Sequence, residues 1–224
     1  MKYCFIQARM GSQRLPGKVL LPICGKPVLA HIIDRVRFAK TVDKIIVVTS
    51  TNPENDVIES LCRQIQINCF RGSEDDVKNR YIKAIEYYNI RNNDSIVRIT
   101  GDCALVCPDL IDMIISHHGN NDLTTNCIGR RFPDGLDVEV FKAGLLKQPD
   151  FYKINFFEKE YDIFFLWSGF KVLAIVQGQD LSSLRWTLDT QQDYEFITQI
   201  YKALYKPGKI FLMEDVLKWL SRQS

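Results

Sequence analysis

The chain predicts an α/β protein of three layers, with helices on both faces of a doubly wound, mainly parallel sheet. Two observations carry that reading. The strand-like stretches, such as Lys44-Ile45-Ile46-Val47-Val48-Thr49, are nearly continuous apolar runs, the pattern of strands covered on both faces. Between them lie segments with helical apolar spacing, so strand and helix signals alternate over the first half of the chain. Polar and glycine residues gather just after the strand runs, at the sheet edge where α/β proteins bind ligands.

In order, Tyr3 to Ala8 reads as a buried strand, followed by a loop and a helix carrying Val28, Ile32, Ile33 and Val36, with Pro27 suited to its first position. Lys44 to Thr49 is the second strand, and the polar loop Thr49 to Asp56 holds a capping residue for a helix over Val57 to Ile65. A strand around Ile67 to Phe70 leads through Arg71-Gly72-Ser73-Glu74-Asp75-Asp76 into a helix from Val77 to Asn89. Ser95 to Thr100 is a strand ending in Gly101-Asp102, and Pro108 to His118 is helical. From Asp122 the rhythm changes. Leu123 to Ile128, Leu136 to Phe141 and Phe170 to Val176 read as strands around an aromatic stretch that includes Phe156, Phe157, Phe164, Phe165 and Trp167. Residues 122–180 are taken as a β-rich insertion with a dimer surface, with ordinary core packing as the alternative for its aromatics. Leu184 to Thr190 is expected to return to the main sheet, before helices over Asp193 to Leu204 and Leu212 to Leu220. No repeat or linker divides the chain, so residues 1–224 form one domain with that insertion.

The loop after the first strand is the chain's most distinctive feature. Within Gln7-Ala8-Arg9-Met10-Gly11-Ser12-Gln13-Arg14-Leu15-Pro16-Gly17-Lys18, three cations accompany two glycines at a strand's carboxyl end. Backbone N–H groups and guanidinium forks in such a loop suit phosphate. It is not a Walker A loop, since Val19 stands where that motif needs a hydroxyl. A solvated basic turn is the plainer alternative. Asp102 ends one strand run and Asp189 another, with Asp193 a helical turn beyond. Turn or cap roles are their plain readings. Two carboxylates meeting at a phosphate site would instead suit Mg²⁺ and phosphoryl or nucleotidyl transfer.

The 224 residues are 46% hydrophobic and 25% charged with a formal net charge of +2, which suits a globular chain and not a nucleic-acid binder living on bulk charge. No apolar stretch is long enough to span a bilayer, and the run after Lys2 is too short for a signal peptide. Seven scattered cysteines without C-x-x-C spacing point to reduced thiols in a cytoplasmic protein. His117 and His118 fall at a helix end, where a cation favours the dipole.

The run Gln7 to Lys18 resembles the signature of cytidylyltransferases that activate acidic sugars, the CMP-sialic acid and CMP-KDO synthetases. Arg71 to Val77, Arg98-Ile99-Thr100-Gly101-Asp102-Cys103, Pro133-Asp134-Gly135-Leu136-Asp137-Val138-Glu139-Val140 and Leu184 to Thr190 extend the resemblance, over almost the whole chain, to the spore coat polysaccharide SpsF group among them. The resemblance implies a nucleotide-diphospho-sugar transferase-like fold and transfer of CMP from CTP to a sugar acid, with release of pyrophosphate. It implies that Arg9, Arg14 and Lys18 hold the triphosphate and act with Asp102 as the catalytic set. Ala8, Gly11, Ser12, Ser73, Asp76, Arg80 and Thr100 join the nucleotide site by the same resemblance. Asp134, Asp137 and Glu139 fall at the acceptor pocket, and Asp102 and Asp189 at the Mg²⁺ site. It further implies a homodimer serving glycan synthesis, without nucleic-acid or membrane partners. Two positions depart from the group: Glu160-Tyr161-Asp162-Ile163 stands where Glu-His-Val-Thr is usual, and Ala104 and Cys107 replace a Pro and an Asp.

A glycosyltransferase of related fold is the main rival, but such enzymes carry Asp-x-Asp where this chain has Asp102-Cys103-Ala104. A non-catalytic nucleotide-binding subunit is a third reading, opposed by retention of all three loop cations and both aspartates.

Overall fold

The computed structural model describes residues 1–148 and 169–223. Nine strands and six α-helices follow in the order β1 (Lys2–Gln7), β2 (Pro22–Ile23), β3 (Lys26–Pro27), α1 (Val28–Arg37), β4 (Lys44–Ser50), α2 (Asp56–Gln64), β5 (Asn68–Gly72), α3 (Val77–Tyr87), β6 (Ser95–Thr100), α4 (Pro108–His118), β7 (Leu123–Thr125), β8 (Glu139–Lys142), β9 (Val172–Ala174), α5 (Gln191–Leu204) and α6 (Met213–Leu220) among the described residues. Seven strands form one sheet in the order β5-β4-β1-β6-β8-β7-β9. Only β8 runs antiparallel to its neighbours.

Strand alternation divides the interior into two apolar layers. Cys4, Ile6, Val47, Val97 and Ile99 face one layer with residues of α1, α2, α4, α5 and α6. Tyr3, Phe5, Ile46, Val48 and Ile96 face the other, against α3 and the 3₁₀ turn Ala143–Lys147. Both sheet faces are thus covered, which is why the strand runs read as continuously apolar.

Several expected elements are shorter or differently placed. Pro27 precedes α1 as its N-cap, and the stretch before it forms a two-stranded hairpin. Its two turn residues, Cys24 and Gly25, both have positive φ, as a tight two-residue hairpin requires. The strands of the 122–180 segment contract to β7, β8 and β9, which complete the main sheet. Leu184 to Thr190 is not a strand. Its backbone bonds are single ties, Asp134 N–H to Leu184 O at 2.9 Å, Trp186 N–H to Asp134 O at 2.6 Å and Leu188 N–H to Asp102 O at 2.9 Å, rather than a ladder. The aromatics from Phe151 to Trp167 and the Glu160 to Ile163 departure lie outside the described residues. No helix among the described residues is long and apolar enough to cross a membrane.

Candidate active site

β1 and β6 are neighbours in register, Gln7 beside Thr100, so the loops leaving their carboxyl ends share one edge. Gly101 lets them meet: a Cβ there would lie 3.0 Å from Gln7 O and 2.9 Å from a Val19 methyl. The cationic loop folds around Met10, whose carbonyl accepts Ser12 N–H at 2.8 Å and Gly17 N–H at 2.9 Å. Gly17, at φ +70, then turns the chain into the short 3₁₀ turn Lys18–Leu20. The Asp102 carbonyl accepts Leu188 N–H, and that tie carries Asp189 alongside Asp102 from 87 residues further along the chain (189 − 102).

Both aspartates are clear of helix-capping duty. Cys107, not Asp102, occupies the N-cap of α4, and Thr190 caps α5 in a reciprocal capping box with Asp193. Their carboxylates converge on one ammonium group: Lys18 Nζ lies 2.8 Å from Asp189 Oδ1 and 3.4 Å from Asp102 Oδ2. The Thr100 hydroxyl donates to the other Asp102 oxygen. Asp189 Oδ2 also receives Arg14 at 2.9 Å and Arg185 at 3.1 Å. Burial raises the Asp189 carboxyl, but Lys18, Arg14 and Arg185 outweigh it and hold it below the usual carboxylate range. Arg9 pairs with Glu74 at 2.7 Å.

A cleft of about 1020 Å³ has walls that include Ala8, Arg9, Ser12, Arg14, Lys18, Thr100, Asp102, Asp134, Asp137, Glu139 and Asp189. Besides Asp102 and Asp189, the acidic groups of its walls are paired with arginines. Arg130 makes two bonds to the Asp137 carboxylate, one at 2.9 Å, and Arg98 pairs with the buried Glu139. Among the described residues no group of three or more His, Cys, Asp or Glu side chains gathers into a metal cage. Two adjacent carboxylates facing an open cleft are instead the donor set that suits Mg²⁺ shared with substrate phosphates.

The sequence pattern of the cytidylyltransferase family matches residues 3–203. The chain belongs to the cytidylyltransferase family. It is 34% identical over 209 residues to the spore coat polysaccharide biosynthesis protein SpsF of Bacillus subtilis, covering 88% of this chain and 85% of that one. An 8-amino-3,8-dideoxy-manno-octulosonate cytidylyltransferase of Shewanella frigidimarina is 33% identical over 124 residues, 54% of this chain and 50% of its own. A solved cytidylyltransferase of Leptospira borgpetersenii superposes with a TM-score of 0.87 at 31% identity, covering 99% of this chain and 94% of that one. A CMP:2-keto-3-deoxy-manno-octonic acid synthetase complexed with CTP shares the fold, with a TM-score of 0.68 at 14% identity over 90% of this chain and 98% of that one.

In this cytidylyltransferase-family chain, Gly11, Ser73, Asp76 and Arg80 are absent from the cleft walls. The buried Arg80 donates to Ser73 O at 2.6 Å and shapes the β5–α3 loop from behind. Asp76 caps α3 through Asn79 N–H, and Ser73 Oγ accepts Asp76 N–H. Ala104 and Cys107 are buried core residues. Arg98, Arg130 and Arg185 are polar contributors that sequence reasoning passed over. Each stands inside or beside a motif in which an aspartate is the conspicuous residue, and their carboxylate partners are 4 to 51 positions away.

Proposed function

We propose that this protein is a Mg²⁺-dependent cytidylyltransferase that transfers CMP from CTP to a sugar-acid-type acceptor, releasing pyrophosphate, in surface-glycan synthesis. The observation that carries the proposal is the convergence of Arg14, Lys18, Asp102 and Asp189 within one ion-pair cluster at the cleft. Arg9, Arg14 and Lys18 hold the triphosphate. Lys18, deepest of the three, sits nearest the charge that grows as pyrophosphate leaves. Asp102 and Asp189 would hold Mg²⁺, which supplies charge neutralisation and orientation at the phosphates. Asp134, Asp137 and Glu139, with the arginines that hold them, form the wall against which the acceptor hydroxyl is oriented. Ser73, Asp76 and Arg80 act at the nucleoside end through the loop they shape. The working form is a homodimer.

Pyrophosphate release from CTP, measured against a panel of sugar acids with and without Mg²⁺, tests this reading. Release should require both CTP and one acceptor from the panel. Release of nucleoside diphosphate from a UDP-sugar, with none of pyrophosphate from CTP, would replace the reading with a glycosyltransferase.

A further inference from the structure

We infer that Asn55, which lies outside the cleft, is a positioning residue that sets the shape of the cationic loop; this rests on reading that loop as the triphosphate site. Asn55 occupies the N-cap of α2, where an asparagine ordinarily spends its side-chain oxygen on the first free N–H groups of the helix. It makes no such bond. Its side chain is fully buried and turned the other way: Oδ1 accepts Met10 N–H at 2.8 Å, and Nδ2 donates to Ser50 Oγ at 2.8 Å.

The Arg9–Met10 peptide, whose N–H Asn55 holds, leads straight into the carbonyl around which the loop closes, since Met10 O takes the Ser12 and Gly17 N–H groups. Arg9 precedes that peptide, while Arg14 and Lys18 follow it. A rotation there shifts the first cation against the other two. Arg9 itself is gripped by Glu74 at 2.7 Å, so its side chain is held from one side while Asn55 holds the backbone that follows it. One amide therefore fixes the backbone directly after Arg9 and is itself anchored by Ser50. Small displacements of binding groups are enough to lose much of a site's effect.

The test is titration of the full-length chain with inorganic tripolyphosphate by calorimetry and with cytidine by saturation-transfer NMR. Asn55→Leu, which keeps the volume but not the bonds, should weaken tripolyphosphate by at least about tenfold and leave cytidine within about twofold. Asn55→Asp restores the acceptor for Met10 N–H and should bind tripolyphosphate at least about threefold tighter than Asn55→Leu. Equal losses for both ligands, or no loss, would overturn the inference. Should Asn55→Leu fail to fold, Ser50→Ala decides: it releases the amide's other anchor, and unchanged tripolyphosphate binding in it would be fatal. A wild-type chain that does not bind tripolyphosphate would instead remove the reading of the loop itself.

Discussion

Lys18 concentrates the chemistry of the site in one group. Its side chain is only 13% exposed, yet it faces two carboxylates on segments far apart in sequence. A lysine so placed offers a fixed positive charge where a leaving pyrophosphate would need one. Lys18→Ala and Asp102→Asn should each slow CTP-dependent pyrophosphate release by roughly 10²-fold. Their melting temperatures should stay close to wild type, because neither side chain fills the core. Unchanged rates in both would remove these residues from the mechanism. The two aspartates were legible because each follows an apolar run, and the cap duty that such a position often carries falls instead to Cys107 and Thr190. Arg185 was not: it sits in Leu184 to Thr190, whose apolar content reads as strand, and its bonds to Asp189 and Asp193 depend on the irregular path that strand-like pattern concealed.

At the scale of elements, β1, β4, β5, β6 and the helices between them follow the apolar periodicity, since each buries a face against the same sheet. Boundaries fail where single ties replace ladders, as from Leu184 to Thr190. The C-terminus of α4 departs from expectation for another reason. A histidine at a helix end is favoured as a cation, but His118 is buried, with Nδ1 against the Thr124 hydroxyl at 3.1 Å. Burial, with Lys142 nearby, lowers its pKa to about 4, so it is neutral in the fold. The sign of the linkage follows. Unfolding returns His118 to an ordinary value near 6.5, so between that pH and about 4 the unfolded chain binds the extra proton. The contribution is fully present above pH 6.5 and is lost as pH falls toward 4. Urea unfolding at pH 7 and pH 5 should show a larger acid loss in wild type than in His118→Gln; equal losses would show that His118 is charged in the fold.

For the whole molecule, a doubly covered sheet places its strand ends on one edge, and the cleft is assembled there from β1, β6 and the segments that cross them. The edge was legible in sequence because glycine, cation and carboxylate all follow apolar runs. The pairing of the charges around Glu139 was not, since Arg98 meets Glu139 only through the antiparallel register of β6 and β8, which no local pattern encodes. The cytidylyltransferase family gives the fold a precedent for nucleotide chemistry, and the proposed use of CTP by this chain is open to a direct binding test. Ligand that binds the native state at a hundred times its Kd stabilises by about 2.7 kcal/mol, or roughly 5–10 °C in a chain of this size. The most direct measurement is therefore the melting temperature with Mg²⁺ and CTP, set against ATP and a UDP-sugar under the same conditions, in wild type and in Asp102→Asn. The account expects the largest rise with CTP and its loss in the variant; a larger rise with a UDP-sugar, or a CTP effect indifferent to Asp102, would contradict it.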